Sequence, residues 1–286
     1  MTDRQIIHNA MTVDVEDYFH VAAFSKDICT ERWDNMESRV KRNTHKILDI
    51  FKVNNVKATF FVLGWVADRD PDLVRCIAEQ GHEIACHGYS HQLIYEQKPD
   101  VFYEETLRAK NILEDITGNP VNGYRAASYS ITEKSKWALD ILSDIGFTYD
   151  SSIFPVHHDR YGMPGTPKQP HTIKLSNGKS IVEFPLSTLK VFGYTLPVAG
   201  GGYFRLYPYW FTEYALKKVS HKDGSFVFYM HPWEIDPEQP RIKTNLVSRF
   251  RHYNNLDKCE ARLTKLINKF EFTTMNLVLK NLQLLE

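Results

Sequence analysis

The sequence predicts an α/β fold with a parallel sheet, either a barrel or a doubly wound arrangement. Strand candidates alternate with helix candidates through most of the chain, several helices stop at glycine, and acids or histidines follow the strands. Such alternation is typical of parallel strands joined by right-handed crossovers. With 286 residues, 43% of them apolar, the chain is long enough for one catalytic domain with a large core.

The spacing of apolar residues predicts each element in turn. Strand candidates lie at 8–17, 56–63, 82–86, 123–132, 147–154 and 225–231, and helix candidates lie at 39–54, 71–80, 100–117, 133–145, 208–220 and 257–270. Between about 155 and 202 the helices give way to short β pieces with a hairpin turn at Asn177-Gly178, which we interpret as a β-rich insertion beside the site. Residues from about 240 to 286 form a C-terminal helical extension. The glycine-rich run from Gly200 to Arg205 predicts a substrate-facing loop, with a tight turn as the alternative.

Composition excludes several classes of protein. The formal net charge is zero, so no overall basic field attracts nucleic acid or an anionic membrane, and no apolar stretch is long enough for membrane insertion. The first residues lack a basic region followed by an apolar run, and we therefore expect a soluble cytoplasmic protein. The four cysteines are scattered without zinc-ribbon spacing. Whether the chain forms a homo-oligomer stays open.

A metal site is the first functional hypothesis. His87 and His91 are four residues apart, so on a helix or helical turn both imidazoles can face one cation such as Zn²⁺. The pair follows the strand candidate 82–86, at the end of a parallel strand where α/β proteins place their chemistry.

Other strand ends supply residues that could complete a hydrolytic site. Two histidines and one carboxylate leave an open position on a divalent cation. A second carboxylate can accept a proton from water, a further histidine can protonate the leaving group, and an arginine can hold the base ionised and aimed. The candidates are Asp14, Glu16 or Asp17, His87, His91, Arg125, Asp150 and His231.

Five motifs resemble the polysaccharide deacetylases of the NodB-homology type, carbohydrate esterase family 4. They are Thr12-Val-Asp-Val-Glu-Asp17, His87-Gly-Tyr-Ser-His91, Arg125-Ala-Ala-Ser-Tyr-Ser130, Asp150-Ser-Ser-Ile-Phe-Pro155 and Tyr229-Met-His-Pro-Trp233. The segments Gly200-Gly-Gly-Tyr-Phe-Arg205 and His231-Pro-Trp-Glu234 are similar to the branch found with exopolysaccharide gene clusters. The resemblance implies a distorted (β/α)7 barrel and a single catalytic domain over 1–286. It also implies removal of N-acetyl groups from the amino sugars of an oligo- or polysaccharide.

The resemblance also implies a role for each matched residue. Asp14 would be the general base, Arg125 its orienting partner and His231 the general acid, and Asp150 belongs to the same catalytic set. His87 and His91 would bind the metal, most often Zn²⁺, with Co²⁺, Ni²⁺ or Mn²⁺ as alternatives. The third ligand is open, because alignment favours Glu16 and residue type favours Asp17. Aromatic candidates for sugar binding are Tyr129, Tyr203 and Trp233, and the backbone N–H of Tyr129 or a neighbour is a candidate for holding the oxyanion.

Two alternative functions remain open from the sequence. Some relatives of this fold act on small cyclic amides or imides without metal, as allantoinases do, although the intact His87/His91 pair argues against that here. The atypical first-strand motif would also suit a catalytically inactive carbohydrate-binding scaffold.

Overall fold

Seven parallel strands form a curled, open sheet at the centre of the molecule. The computed structural model describes residues 8–25, 27–158 and 161–286. The strands are β1 (Asn9–Val15), β2 (Thr59–Val62), β3 (Glu83–Cys86), β4 (Gly123–Tyr124), β5 (Tyr149–Asp150), β6 (His171–Lys174), β7 (Ser180–Glu183), β8 (Thr188–Val191), β9 (Tyr194–Pro197), β10 (Val227–Met230) and β11 (Phe272–Thr273). The parallel order is β10-β1-β2-β3-β4-β5-β7, β6 is antiparallel to β7, and β11 pairs with β1. The predicted distorted (β/α)7 barrel is confirmed.

Helices cover the outside of this sheet. They are α1 (Val40–Val53), α2 (Gly64–Arg69), α3 (Pro71–Glu79), α4 (Pro99–Thr117), α5 (Trp137–Ile145), α6 (Gly201–Leu206), α7 (Tyr209–Asp223), α8 (Leu246–Tyr253), α9 (Leu256–Ile267) and α10 (Met275–Asn281). Short 3₁₀ turns lie at Ala22–Phe24, Thr30–Asn35, Ile94–Glu96, Ala127–Tyr129 and Pro232–Ile235. None of the helices in the described ranges has the length and apolar character needed to cross a bilayer.

Local sequence explains where several helices start and stop. The carboxylate of Asp70 accepts a hydrogen bond from the backbone N–H of Leu73, and Pro71 occupies the first turn of α3, where its missing N–H costs nothing. Helices α4 and α5 end at Gly118 and Gly146, whose φ angles of 66° and 95° are left-handed conformations that glycine adopts without strain.

The central strand β1 is buried on both faces, and its alternation sets the direction of the functional side chains. Met11, Val13 and Val15 belong to the main apolar core, whereas Ala10 belongs to a separate core cluster with Phe61. Successive side chains of a strand point to opposite faces. Residues with even numbers on β1 therefore point into the curled sheet, away from the main core.

The segment 155–202 and the glycine-rich run differ from their interpretation. The β-rich character is present, but Ser180–Glu183 is a strand of the main parallel sheet, so that segment is more than an insertion. The run after Gly200 is helix α6, not a loop. A Cβ on Gly200 would lie 2.0 Å from the carbonyl oxygen of Tyr229, so glycine is required where α6 approaches β10. The single domain over 1–286, with an extension from about 240, stays a prediction.

Candidate metal and catalytic site

The end of β1 brings the predicted base to a buried arginine. Asp14 lies on the same face as Thr12, and only 2% of its surface is exposed. Its Oδ1 atom accepts a hydrogen bond from Nη1 of Arg125 at 2.6 Å. Such a charge-assisted bond fixes the carboxylate in one orientation.

Arg125 is itself held on all sides. It follows β4 and is fully buried; Nη1 also donates to Oγ1 of Thr12 at 2.8 Å, Nε donates to the carbonyl of Ser151 at 3.1 Å, and Nη2 donates to Oγ of Ser151 at 3.0 Å. Its guanidinium lies 4.1 Å from the centroid of the Phe61 ring. These contacts hold the guanidinium in one position, and its hydrogen bond to Oδ1 then holds the Asp14 carboxylate in place.

Glu16 and the two histidines form the group of ligand atoms that could hold a metal. One side-chain atom each from Glu16, His87 and His91 lies within 4.8 Å of the others. The histidines are on the loop after β3 and not on the predicted helical turn, and their ring centroids are 5.3 Å apart. Gly88 and His91 have φ angles of 72° and 53°, which curl this loop. A left-handed conformation is uncommon for histidine, and strain of this kind clusters at functional sites.

The chemistry of this group fits a divalent cation. Nδ1 of His87 donates to the carbonyl of Arg125 at 2.8 Å, which leaves Nε2 with a free lone pair, as in metal sites where a second contact orients the ligand. Burial lowers the pKa of His87 to about 4, so the imidazole is neutral near pH 7. Oε2 of Glu16 is buried and lies 2.7 Å from Nε2 of His91. Two imidazoles and a carboxylate are donors that Zn²⁺ takes in some catalytic sites.

Asp17, the other candidate for the third ligand, lies outside this group. Its Oδ1 accepts from the backbone N–H of Tyr18, and its Oδ2 accepts from Oγ of Ser38 and from the N–H groups of Arg39 and Val40. Because these bonds occupy both oxygens, Asp17 anchors the start of α1. The structure thus places Glu16, and not Asp17, beside the histidines.

His231 faces both carboxylates of the first strand. Its Nε2 lies 3.6 Å from Oε1 of Glu16 and 4.0 Å from Oδ2 of Asp14. On the other side of the ring, Nδ1 lies 3.1 Å from Oε2 of Glu234, which also accepts the backbone N–H of His231 at 3.0 Å. Burial by itself lowers the pKa of His231, but the hydrogen bond to Glu234 and the charges of Glu16, Glu234 and Asp14 together raise it to about 9.

Glu234 and Arg205 support His231, and sequence reasoning missed this role. Nε of Arg205 donates to Oε1 of Glu234 at 2.6 Å, and both side chains are buried. Burial raises the pKa of Glu234, but Arg205 and His231 outweigh it and hold that pKa at about 2. A sequence signal for both residues was present, since Arg205 is the last residue of the glycine-rich segment and Glu234 is the last residue of the His-Pro-Trp-Glu segment. Only the fold shows that the two segments meet.

Trp233 does not offer a free surface to a sugar. The side chain is only 4% exposed, and its ring stacks between His231 at 5.0 Å and His252 at 4.2 Å. Its Nε1 donates to Oε1 of Glu16 at 3.3 Å. The structure therefore places Trp233 against Glu16, which its N–H helps to orient, and the predicted sugar contact has no exposed ring face in this arrangement.

Asp150 was expected in the catalytic set, but its carboxylate is used elsewhere. It accepts from Oγ of Ser152 at 2.6 Å and from the backbone N–H of Ser152 at 3.1 Å. Burial and the charge of Asp150 raise the pKa of the adjacent Glu183 well above its usual range. Oγ of Ser152 in turn accepts the N–H of Ala126 at 2.8 Å. Asp150 therefore supports the loop that carries Arg125.

Tyr129 and Tyr203 belong to a tyrosine cluster close to Arg125. The ring of Tyr129 lies 5.1 Å from Tyr229, 6.2 Å from Tyr161 and 5.9 Å from the guanidinium of Arg125, and the hydroxyls of Tyr161 and Tyr203 are 3.1 Å apart. The backbone N–H of Tyr129 donates to the carbonyl of Ala126, so it is not free for an oxyanion. Both tyrosines remain candidates for the wall of a substrate cleft.

Two family models match adjoining parts of the chain. Residues 26–149 match the polysaccharide deacetylase family, and residues 151–280 match a domain of unknown function, DUF3473. A peptidoglycan-N-acetylglucosamine deacetylase from Bacillus cereus is 38% identical over 98 residues, which is 34% of this chain and 36% of that protein. A chitooligosaccharide deacetylase from a Bradyrhizobium species is 29% identical over 100 residues, 35% of this chain and 43% of that protein. The chain thus spans less than half the length of each of these two relatives.

Solved structures show the same fold at low identity. A Mycobacterium smegmatis protein assigned as a polysaccharide deacetylase superposes with a TM-score of 0.64 at 20% identity, covering 99% of this chain and 92% of the other. The allantoinase PuuE superposes with a TM-score of 0.61 at 15% identity, covering 98% and 91%. Proteins assigned to both kinds of activity share this fold. The superpositions therefore establish the architecture, and the function has to be inferred from the residues of the site.

Proposed function

We propose that this chain, whose residues 26–149 match the polysaccharide deacetylase family, hydrolyses N-acetyl groups of amino sugars in an oligo- or polysaccharide, with a divalent metal, most readily Zn²⁺, as cofactor. The observation that carries the proposal is that three sets of side chains, suited to binding a metal, accepting a proton and donating a proton, lie next to one another. A ligand group of Glu16, His87 and His91 lies beside a carboxylate fixed by Arg125 and beside a histidine whose Nε2 faces both acids.

The residues have distinct tasks in this reaction. When bound, a divalent cation supplies a Lewis acid that polarises the acetamide carbonyl and makes water acidic enough to attack near neutral pH. Asp14 accepts the proton of the attacking water, and Arg125 keeps its carboxylate aimed. Nε2 of His231 donates a proton to the departing nitrogen, which leaves as the free amine while acetate is released.

The position of Glu234 explains why His231 is suited to be the acid. With Nδ1 bonded to Glu234, the proton to be transferred sits on Nε2, the atom that faces Asp14 and Glu16. Its pKa of about 9 keeps the ring protonated near pH 7. The acetyl-bearing nitrogen is a poor leaving group without such a donor.

Metal binding and turnover are tested separately. Zinc titration followed by calorimetry should show one ion per chain, and His87→Ala should lower the zinc affinity by more than the roughly 10- to 100-fold typical of losing a residue that only orients a metal ligand. His171→Ala, a change on the rim strand β6, is the matched control and should bind zinc normally. Asp14→Ala and His231→Ala should keep zinc and lower acetate release from chitooligosaccharides by roughly 10²- to 10⁴-fold each.

The alternative functions give different results in the same assays. Turnover that survives His87→Ala would favour the metal-independent amidohydrolase. Zinc binding without acetate release from chitooligosaccharides, peptidoglycan fragments or a partly acetylated exopolymer would favour the carbohydrate-binding scaffold.

A further inference from the structure

One segment departs sharply from the neutral balance of the chain. Residues 241–256 contain Arg241, Lys243, Arg249 and Arg251 and no aspartate or glutamate, although the whole chain has a net charge of zero. All four cationic residues are exposed. No ion pair to any of them occurs within the part of the chain that the structure describes. The surface here is therefore locally cationic.

Helix α8, in the middle of this segment, presents an apolar stripe to solvent. Leu246, Val247 and Phe250 are 81%, 59% and 58% exposed, whereas Ser248 and His252 are buried. At about 100° per residue, the three apolar side chains share one sector of the helix, and the two buried residues lie nearly opposite. The stripe therefore points directly away from the protein core.

The cationic residues of the helix flank this stripe on both sides. By the same rotation of about 100° per residue, Arg251 follows Val247 around the helix, and Arg249 precedes Leu246 on the opposite edge. Apolar side chains at the centre with arginines at the margins are typical of helices that lie in the interface of an anionic bilayer.

The helix is held firmly enough to present this face. Arg205 donates from Nη1 to the carbonyls of His252 and Asn254 and from Nη2 to the carbonyl of Arg251, which satisfies backbone groups at the helix end. On the inner side, the ring of His252 stacks on Trp233 at 4.2 Å. The exposed stripe is thus fixed to the same framework as the metal and catalytic site.

We propose that α8 binds peripherally to the surface of a bilayer rich in anionic phospholipid. Leu246, Val247 and Phe250 enter the boundary between headgroups and acyl chains, and Arg249 and Arg251 contact the headgroup phosphates. A neutral net charge does not oppose this, because only charges within about a Debye length of the lipid surface contribute, roughly 8 Å at physiological salt. The proposal does not depend on deacetylation.

Sedimentation of the 286-residue chain with vesicles tests the proposal. Binding should be weak on phosphatidylcholine and strong on equal parts of phosphatidylcholine and phosphatidylglycerol, and salt should weaken it. Each arginine near the surface contributes roughly fivefold, so Arg249→Gln with Arg251→Gln should lower partitioning by about 25-fold. Leu246→Ser with Phe250→Ser should abolish the part of the vesicle binding that persists at high salt concentration. In Phe250→Trp, the emission should shift to shorter wavelength on the anionic vesicles.

Matched controls and contrary outcomes are available. Val53→Ser with Arg75→Gln changes an exposed valine and an exposed arginine elsewhere on the surface. Partitioning should stay within about twofold of the wild-type value, because neither residue belongs to the proposed lipid-contacting face of α8. Equal thermal unfolding of all variants confirms that each is folded. No binding of the wild type to the anionic vesicles, or equal binding of the α8 variants, overturns the proposal. Self-association that Leu246→Ser with Phe250→Ser removes, without lipid binding, would assign the stripe to a second copy of the chain and also overturn it.

Discussion

The buried pair of Arg125 and Asp14 should make a large, coupled contribution to stability. Arg125 has no exposed surface and donates four hydrogen bonds, one of them to Asp14. Arg125→Met keeps much of the apolar stem but leaves the carboxylate buried without its cation. Breaking such a pair costs roughly 3–5 kcal/mol. Asp14→Asn in the same chain removes the stranded charge, so the double variant should be more stable than the sum of the single changes by roughly 1–3 kcal/mol.

Urea unfolding of metal-free protein, followed by circular dichroism, measures this coupling. The matched control is the exposed pair of Arg75 and Asp72, whose charged atoms are 2.5 Å apart but whose side chains are 49% and 79% exposed. Solvent screens that pair, so Arg75→Met and Asp72→Asn should couple by less than about 0.5 kcal/mol. A coupling just as small between Arg125 and Asp14 would refute the reasoning. If Arg125→Met does not fold, Arg125→Lys serves in its place, because it keeps the charge but loses the planar fork. Its free energy of unfolding should lie between those of the wild type and of a variant without the cation.

Three further predictions follow from the site and its support. Glu234→Gln should move the basic limb of the pH–rate profile downward, because the pKa of His231 falls from about 9 toward 6.5; an unchanged limb would remove Glu234 from the mechanism. The raised pKa means that the stability contributed by His231 is fully present below pH 6.5 and lost as pH rises through about 9, so chemical unfolding of the variant should show less of that loss. Asp17→Asn should lower unfolding free energy by roughly 1–2 kcal/mol through lost capping bonds while zinc affinity stays the same, and a fall in affinity of tenfold or more would contradict its position outside the ligand group. Gly200→Ala should destabilise by roughly 1–3 kcal/mol in urea, because its Cβ would meet the carbonyl of Tyr229, and a neutral result would contradict the close approach.

The sequence predicted the fold and most of the site because both depend on local patterns. The alternation of strands and helices gave the parallel sheet, and the rule that functional groups follow parallel strands brought Asp14, Arg125 and His231 together. The choice between Glu16 and Asp17 could also have been made from alternation. In a strand, Glu16 shares the face of Asp14, whereas Asp17 points the other way.

The remaining errors arose where distant segments meet. Trp233 is buried because His252, from a helix with no motif of its own, stacks on its ring. Three consecutive glycines predict poor helix formation, yet Gly201–Leu206 is helical, since Arg205 is held by its ion pair with Glu234. The local sequence around one residue of each pair says nothing about its partner, so only the tertiary structure shows that Trp233 meets His252 and that Arg205 meets Glu234.

The strand order has a consequence for synthesis and folding of the chain. The strand Asn9–Val15 pairs in the finished sheet with Val227–Met230 and Phe272–Thr273, which are synthesised long after it. Contacts between such distant residues slow folding, because a long loop must close before they form. The acids on that strand therefore cannot meet His231 until His231 itself has been synthesised, and the nascent chain is expected to remain inactive, and dependent on protection from aggregation, until then.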